Sequence, residues 1–286
     1  MGKRALLLGL VVTALATPAP AQAEVRAETA ALQIALSARG LYGGPLDGLA
    51  GPATLEALRT FQKRAGLPQT AKLDRRTRLS FKKLGKPVAG SRVVSRRMMG
   101  WDVSVLEFQL ARRGFDPGAI DGRFNRDTRA AVRGFQRYAR LGVDGAAGRA
   151  TFKALRRSPL ARSPIALSWP LRRPVVERFG LDGRHLRTGV LLAAPYGSPI
   201  AAAADGNVVE AGFRPGGLGL AVTIEHARGV RTVYGHLARV DVRVGQKVVR
   251  GALVGLVGWT GQTRKPRLHL EVRVRGAAVD PLRVLR

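Results

Sequence analysis

The sequence predicts a multidomain α+β protein in which two small helical bundles are followed by an all-β domain of the sandwich or barrel type. Three observations carry this expectation. The chain has 286 residues, more than one average domain and enough for two or three small ones with cores of their own. A segment beginning at Ala31 recurs without a gap from Val105, and self-similarity at a fixed period marks a repeated structural unit. From Trp169 onward helical spacing gives way to short β-rich runs separated by glycines, the pattern of an all-β fold.

Taken from the N-terminus, "MGKRALLLGLVVTALATPAPAQAE" has a basic start at Lys3 and Arg4, an apolar run from Ala5 to Ala16, and Ala21-Gln22-Ala23 at its end. Small residues two apart fit the shallow pockets of a signal peptidase, so residues 1–23 are expected to be a signal peptide cleaved before Glu24. That places the mature chain in the periplasm or outside the cell. The run is too short for a permanent membrane helix, and no stable membrane insertion is expected. There is no cysteine, which excludes both a lipidated anchor behind the leader and a disulfide framework. The formal charge is +30, and a balance of that kind usually points to nucleic acid. Export argues against that partner and leaves anionic envelope polymers instead.

The repeat pairs Gly40 with Gly114, Asp47-Gly48 with Asp121-Gly122, Thr54 with Thr128, Phe61-Gln62 with Phe135-Gln136, and Thr77 with Thr151, all 74 positions apart. Within each copy the spacing predicts helix, loop, helix and short helix. Leu32, Leu36 and Leu41, like Leu106, Leu110 and Phe115, recur at helical intervals around a glycine stop. Asp-Gly is a turn dipeptide. Thr54 and Thr128 fall at the start of the second helix, whose apolar face is Leu55, Leu58 and Phe61 in one copy and Ala131, Val132 and Phe135 in the other. Thr77 and Thr151 open the last short helix. The boundaries are residues 30–85 and 102–156, with Pro/Gly/Ser-containing basic linkers at 86–101 and 157–168. The all-β domain occupies 169–286, with hairpins expected at Asp205-Gly206 and Ala227-Arg228-Gly229.

The loop Gly-x-x-Asp-Gly-x-x-Gly/Asn-x-x-Thr, followed by Phe-Gln, resembles the peptidoglycan-binding domain found attached to cell-wall hydrolases. These residues mark the fold more than a binding surface, because Asp-Gly is a turn, Phe belongs in a core and Thr suits a helix start. The third domain, through "AAPYGSPI", "DGNVVEAG", "TVYGHL", "VGQKVVRGALVGLVGWTG", "LHLEV" and "VDPL", resembles the lysostaphin-type, LytM-like zinc endopeptidases that hydrolyse peptide cross-links of peptidoglycan. The resemblance implies a metal held by a His and an Asp from a His-x-Gly-x-Asp segment and a His from a His-x-His strand. The other His of that strand would be catalytic, and a His in Tyr-x-His-Leu would assist the water.

On this chain the resemblance places His236 in Tyr234-Gly235-His236-Leu237 and His269 at the retained ligand position. Arg187 and Leu191 stand at the other two ligand positions, with Gly189 kept between them, and Arg267 stands at the catalytic His position. Guanidinium has no lone pair to donate and leucine has no donor atom, so His236 is expected to be a relic and no cofactor is expected. Arg187 and Arg267 should lie close together in the groove as an anion site, with His236 and His269 beside them and Glu271 neutralising them. The resemblance then implies a non-catalytic wall-binding protein that regulates or recruits cell-wall hydrolases, with peptidoglycan and a wall amidase or other hydrolase as partners. The competing expectation is an active zinc endopeptidase with atypical ligands, in which His185, His236 and His269 hold the metal with Asp182 nearby. In the bland reading His185 and His226 are ordinary surface or turn histidines.

Overall fold

The computed structural model describes residues 25–286, so the expected leader and its cleavage before Glu24 lie outside the described residues. The first copy forms α1 (Ala27–Ser37), α2 (Pro52–Arg64) and α3 (Arg75–Ser80), followed by a 3₁₀ turn over Lys82–Gly85. The second forms α4 (Trp101–Arg112), α5 (Arg126–Tyr138) and α6 (Arg149–Arg157). None of these helices is long and apolar enough to cross a membrane.

Buried side-chain amides explain why the repeated motif residues recur. In the first copy Gln33 accepts the Gly48 N–H at 3.0 Å and donates to Asp47 Oδ1 at 2.7 Å and Thr54 Oγ1 at 3.2 Å. Gln62 repeats the device one loop later, accepting from Ala71 N and donating to the Lys72 carbonyl and Thr77 Oγ1. In the second copy Gln136 does the same for Gly145, Ala146 and Thr151. Each amide satisfies loop groups that would otherwise be buried without partners. The position equivalent to Gln33 is Glu107, which is fully buried and accepts from Asp121 N and Gly122 N at 3.1 and 2.8 Å.

The linker expected over 86–101 is built into the helical region. Val94 pairs with Ala147 and Met99 with Arg123 as antiparallel bridges, and Arg92 holds the buried Asp102 at 2.8 Å. Trp101 is the first residue of α4 and fully buried, not part of a linker. Its ring packs near Phe81, which stacks on Phe61 at 3.8 Å, and its Nε1 donates to Glu28. The two copies therefore share apolar contacts between α1 and α4 instead of standing as separate bundles.

The β domain comprises β1 (Val175–Glu177), β2 (Gly180–Asp182), β3 (His185–Arg187), β4 (Val190–Ala193), β5 (Pro199–Ala201), β6 (Gly206–Arg214), β7 (Gly219–Glu225), β8 (Val230–Val240), β9 (Lys247–Val248), β10 (Leu253–Val257), β11 (Arg267–Val274) and β12 (Ala277–Val279). Antiparallel pairing runs β1-β4-β11-β8-β7-β6-β9, with β10 joining β8 to β5 and β12 lying on β11. The β2–β3 hairpin stands apart as its own two-stranded sheet. Ala227-Arg228-Gly229 turns β7 into β8 with Arg228 and Gly229 left-handed, as expected. Asp205-Gly206 is no hairpin, because β5 pairs with β10 while β6 pairs with β7 and β9.

Along β11, Leu268, Leu270, Val272 and Val274 enter the core with Val190, Leu192, Tyr234 and Val254. Strand alternation sends Arg267, His269, Glu271 and Arg273 to the other face. The β domain docks on the second helical copy through Ala278 N to the Gly114 carbonyl at 2.9 Å. Gly114 has φ +78°, and a Cβ there would sit 1.9 Å from the Ala278 oxygen, so only glycine fits this contact. The β2–β3 hairpin reaches both copies: Ile120 N donates to Arg184 O, Arg184 donates to Ser37 Oγ, and Leu186 enters the first copy's core.

Burial raises the Glu107 carboxyl from its ordinary value near 4.5 to about 9, so it is protonated at neutral pH and does the work of an amide. A pKa raised on folding means that the folded chain holds a proton the unfolded chain releases. Stability contributed by this proton is fully present below pH 4.5 and is lost as pH rises towards 9. Glu107→Gln should remove that loss and raise the unfolding free energy at pH 8 by on the order of 3 kcal/mol, measured by denaturant unfolding across pH. A pH profile identical to the parent's would show that the buried carboxyl is not the group responsible.

Candidate functional site

The groove lies on the face of the sheet that alternation leaves outside the core. His269 pairs in register with Leu191 on one side and Gly235 on the other, so β4, β11 and β8 together form its floor. A cavity of about 360 Å³ is lined there by Arg187, Leu191, His269, Glu271 and Arg273, among others. His236 departs from alternation: its φ is +64°, a left-handed conformation uncommon for a side chain with a Cβ. This turn brings its ring 5.8 Å from that of His269 in an edge-on arrangement.

Two loops hold His236 in place. Its N–H donates to the Leu218 carbonyl at 2.7 Å, and its Nδ1 donates to the Thr260 carbonyl at 2.8 Å. The loops meet at Gly219 and Gly261, both left-handed, where a Cβ on Gly261 would lie 2.2 Å from Gly217 O. Because a carbonyl only accepts, Nδ1 carries the proton and Nε2 keeps its lone pair. Burial lowers the His236 pKa, against the opposing pull of the Thr260 hydrogen bond.

Arg187 and Arg267 converge, and Glu177 on β1 is what joins them. One Glu177 oxygen meets Arg187 Nε at 3.3 Å and the other meets Arg267 Nη1 at 3.1 Å. Arg187 also reaches Asp182 at 2.6 Å. The Arg267 Nε is buried without a hydrogen-bond partner among the described residues. Glu271 does not neutralise this pair as expected. Its carboxylate is held by Arg273 Nε at 2.7 Å, His269 Nε2 at 3.2 Å and the Thr188 hydroxyl. Burial alone would raise its pKa, but these three donors and the Arg273 charge hold it well below the usual carboxylate range.

The donor set does not match a three-ligand metal centre. Leu191 offers no donor atom, Arg187 and Arg267 are occupied with carboxylates, and His269 turns Nε2 towards Glu271. Among the described residues no group of three or more His, Cys, Asp or Glu side chains is arranged to hold a metal ion. His185 is exposed on β3, outside the lining of the cavity. His226, expected at the surface or in a turn, is buried at the β7–β8 turn, bridging the Asp205 carbonyl and Thr232 Oγ1 at 2.8 Å each.

Glu177, Arg273 and Thr188 were not anticipated from sequence, and Asp182, expected beside a three-histidine metal site, pairs with Arg187 instead. Alternation along β11 would have found Arg273. Nothing local marks Glu177, which reaches the groove only because β1 pairs with β4.

A twisted antiparallel sheet carrying a histidine groove, preceded by two helical modules, defines a class of protein: a peptidase-type domain joined to wall-binding-type modules. Comparison with known proteins gives the family. Residues 185–281 match peptidase family M23, and residues 25–79 and 100–155 match the peptidoglycan binding domain, so the chain carries two peptidoglycan-binding-type domains followed by an M23, LytM-type domain. It is 37% identical over 125 residues to the cell division protein DipM of Caulobacter vibrioides, covering 41% of this chain and 20% of that protein. The DD-carboxypeptidase/endopeptidase Mpg of Neisseria meningitidis is 46% identical over 100 residues, covering 35% and 23%. The murein hydrolase activator EnvC of Escherichia coli is 37% identical over 115 residues, covering 40% and 27%. The chain thus spans between a fifth and about a quarter of the length of these relatives.

Glu271 yields a test. Its folded-state pKa is depressed, so its stabilising contribution is present above the unfolded value near 4.5 and is lost as pH falls below it. Glu271→Gln should lower the unfolding free energy at pH 7 by about 2 kcal/mol or more, because Arg273 and His269 lose a buried carboxylate. The gap between parent and variant should narrow as pH drops below 4.5, followed by thermal or denaturant unfolding. A gap independent of pH would rule out the ionised pair as its source.

Proposed function

We propose that the chain is an exported peptidoglycan-binding protein whose M23-type domain does not hydrolyse and instead regulates or recruits a cell-wall hydrolase, with no resident metal. The observation that carries this reading is the Arg187–Glu177–Arg267 network. It fills with paired guanidinium groups the positions where hydrolysis needs metal donors and a catalytic base. A metal centre needs deprotonated ligands in close geometry, and two cations beside it work against a dication.

Two relatives support a regulatory role by their names, a cell division protein and a murein hydrolase activator. The helical modules support wall attachment through their family. The partner would be a wall amidase or another hydrolase, met in the periplasm or outside the cell. A second reading has one observation in its favour. Mpg, 46% identical over its matched region, is named as a carboxypeptidase and endopeptidase, and His236 and His269 still face each other. In that reading the domain is a zinc-dependent endopeptidase with atypical ligands.

Elemental analysis of the purified protein separates the two. The proposed function expects zinc far below one equivalent, unchanged in His269→Ala, and no cleavage of cross-linked peptidoglycan fragments. Near-stoichiometric zinc that disappears in His269→Ala, together with cleavage lost in His236→Ala, would establish the second reading. The regulatory half is read separately, as an increase in peptidoglycan release by a purified amidase when the chain is added.

A further inference from the structure

The groove does not end at His269. Arg214 and Arg273 line both its 360 Å³ cavity and a second cleft of about 610 Å³. This cleft lies between the outer face of the sheet and α5 of the second module. Its sheet side follows from the same alternation that built the groove: Arg231 and Val233 on β8 pair with Arg273 and Glu271 on β11. Its helix side is opened by small residues, Ala130 and Gly134.

The two modules differ at these positions. Where the second has Ala130, Gly134, Arg137 and Tyr138, the first has Glu56, Thr60, Lys63 and Arg64, each 74 residues earlier. The second module thus lacks two bulkier side chains, one of them a carboxylate, where the cleft opens, and it supplies an aromatic ring at the wall.

Charge in the cleft is incompletely balanced: five arginines line it against three carboxylates, Asp116, Glu210 and Glu225. Arg214 meets Glu210 at 3.3 Å, Arg231 meets Glu225 at 3.0 Å and Arg273 meets Glu271 at 2.7 Å. Arg137 has no carboxylate partner among the described residues. Among the described residues Arg275 is held only by uncharged groups, the Tyr138 carbonyl at 3.2 Å and the Tyr138 ring at 5.3 Å. Two guanidinium groups at one wall of a concave site favour bound carboxylates. The volume falls in the range of sites for small ligands, roughly 300–1,000 Å³, which suits a few peptide residues better than a folded protein.

We propose that this interdomain cleft, continuous with the groove through Arg214 and Arg273, binds a short carboxylate-bearing peptide of the kind found in cell-wall stems, its acid groups meeting Arg137 and Arg275. The proposal rests on the wall-binding reading above and gives it a ligand class and a place. It makes the second module and the M23-type domain one composite site, whose geometry depends on the Gly114–Ala278 contact.

The test uses the whole protein, with the tripeptide L-Ala-γ-D-Glu-diaminopimelate as probe in calorimetric titration and sedimentation with insoluble peptidoglycan run in parallel. Ala130→Glu restores the first module's residue in the cleft, and Arg137→Glu reverses the unpaired charge. Both positions are exposed on α5, and an unchanged melting temperature checks that folding is kept. The expected result is peptide binding weakened about tenfold or more by either substitution, and by amidation of the peptide's carboxyl groups. Equal peptide affinity in parent and variants overturns the proposal. So does absence of peptide binding by a parent that still sediments with peptidoglycan, which leaves the wall-binding reading standing. Loss of an acidic protein partner in the variants with peptide affinity intact also overturns it. A parent that neither binds peptide nor sediments removes the wall-binding reading and this one with it.

Discussion

The period-two alternation of β11 is the constraint on which the rest of the β domain depends. Four aliphatic side chains, Leu268, Leu270, Val272 and Val274, commit one face of the strand to the core. A slip of one residue would bury Arg267, His269, Glu271 and Arg273 and expose all four aliphatics, a cost no ion pairing could offset. The register is further fixed from both sides by β4 and β8. The chemical character of the groove is therefore decided by four odd-numbered residues whose position is guaranteed by their even-numbered neighbours. Substitution within the odd set changes what the groove does while the even-numbered face still fixes the register of the strand.

The helical modules contribute differently. Their repeated polar residues are internal clamps: Gln33, Gln62 and Gln136 satisfy loop backbone groups, and threonines at the helix starts accept from them. Those residues are spent on fold, which leaves recognition to side chains that the repeat does not share. The β2–β3 hairpin ties this part of the molecule to the groove, since Arg184 contacts both modules while Arg187 lies in the cavity. One short hairpin thus contacts both modules and the Glu177 network.

Much of this architecture was legible in the sequence because it rests on local periodicity. The 74-residue offset gave both modules their helix order, and the Phe-Gln motifs marked core positions. The expectation that Arg187, Leu191, His236, Arg267, His269 and Glu271 share one groove came from the family resemblance. What escaped were consequences of pairing between distant segments. Glu177, at 90 residues' separation from Arg267, joins the groove through β1 and β4. Glu271 was assigned the wrong partners because strand alternation gives a face but not a neighbour: Arg273, two residues on along the same face, lies within reach and takes the carboxylate. The basic segment over 86–101 looked like a linker by composition, yet Arg92 there pairs with a buried aspartate and Val94 is fully buried. Composition reports the average environment of a segment, whereas a single buried ion pair decides whether it is packed.

His236 is aimed into the groove by supports that lie apart from the other groove residues. A left-handed residue with a Cβ costs on the order of 1 kcal/mol or more and persists only where neighbours over-determine it. Here the neighbours are the Leu218 and Thr260 carbonyls, fixed in turn by the close meeting of Gly219 with Gly261 and by Thr260 Oγ1, which accepts from Leu220 N and donates to Leu237 O. None of these supports is a position at which Arg187, Leu191 or Arg267 stands. The backbone that aims the imidazole is therefore independent of whatever binds in front of it. The side chains at Arg187, Leu191 and Arg267 thus set the chemistry of the groove without setting the direction of the imidazole.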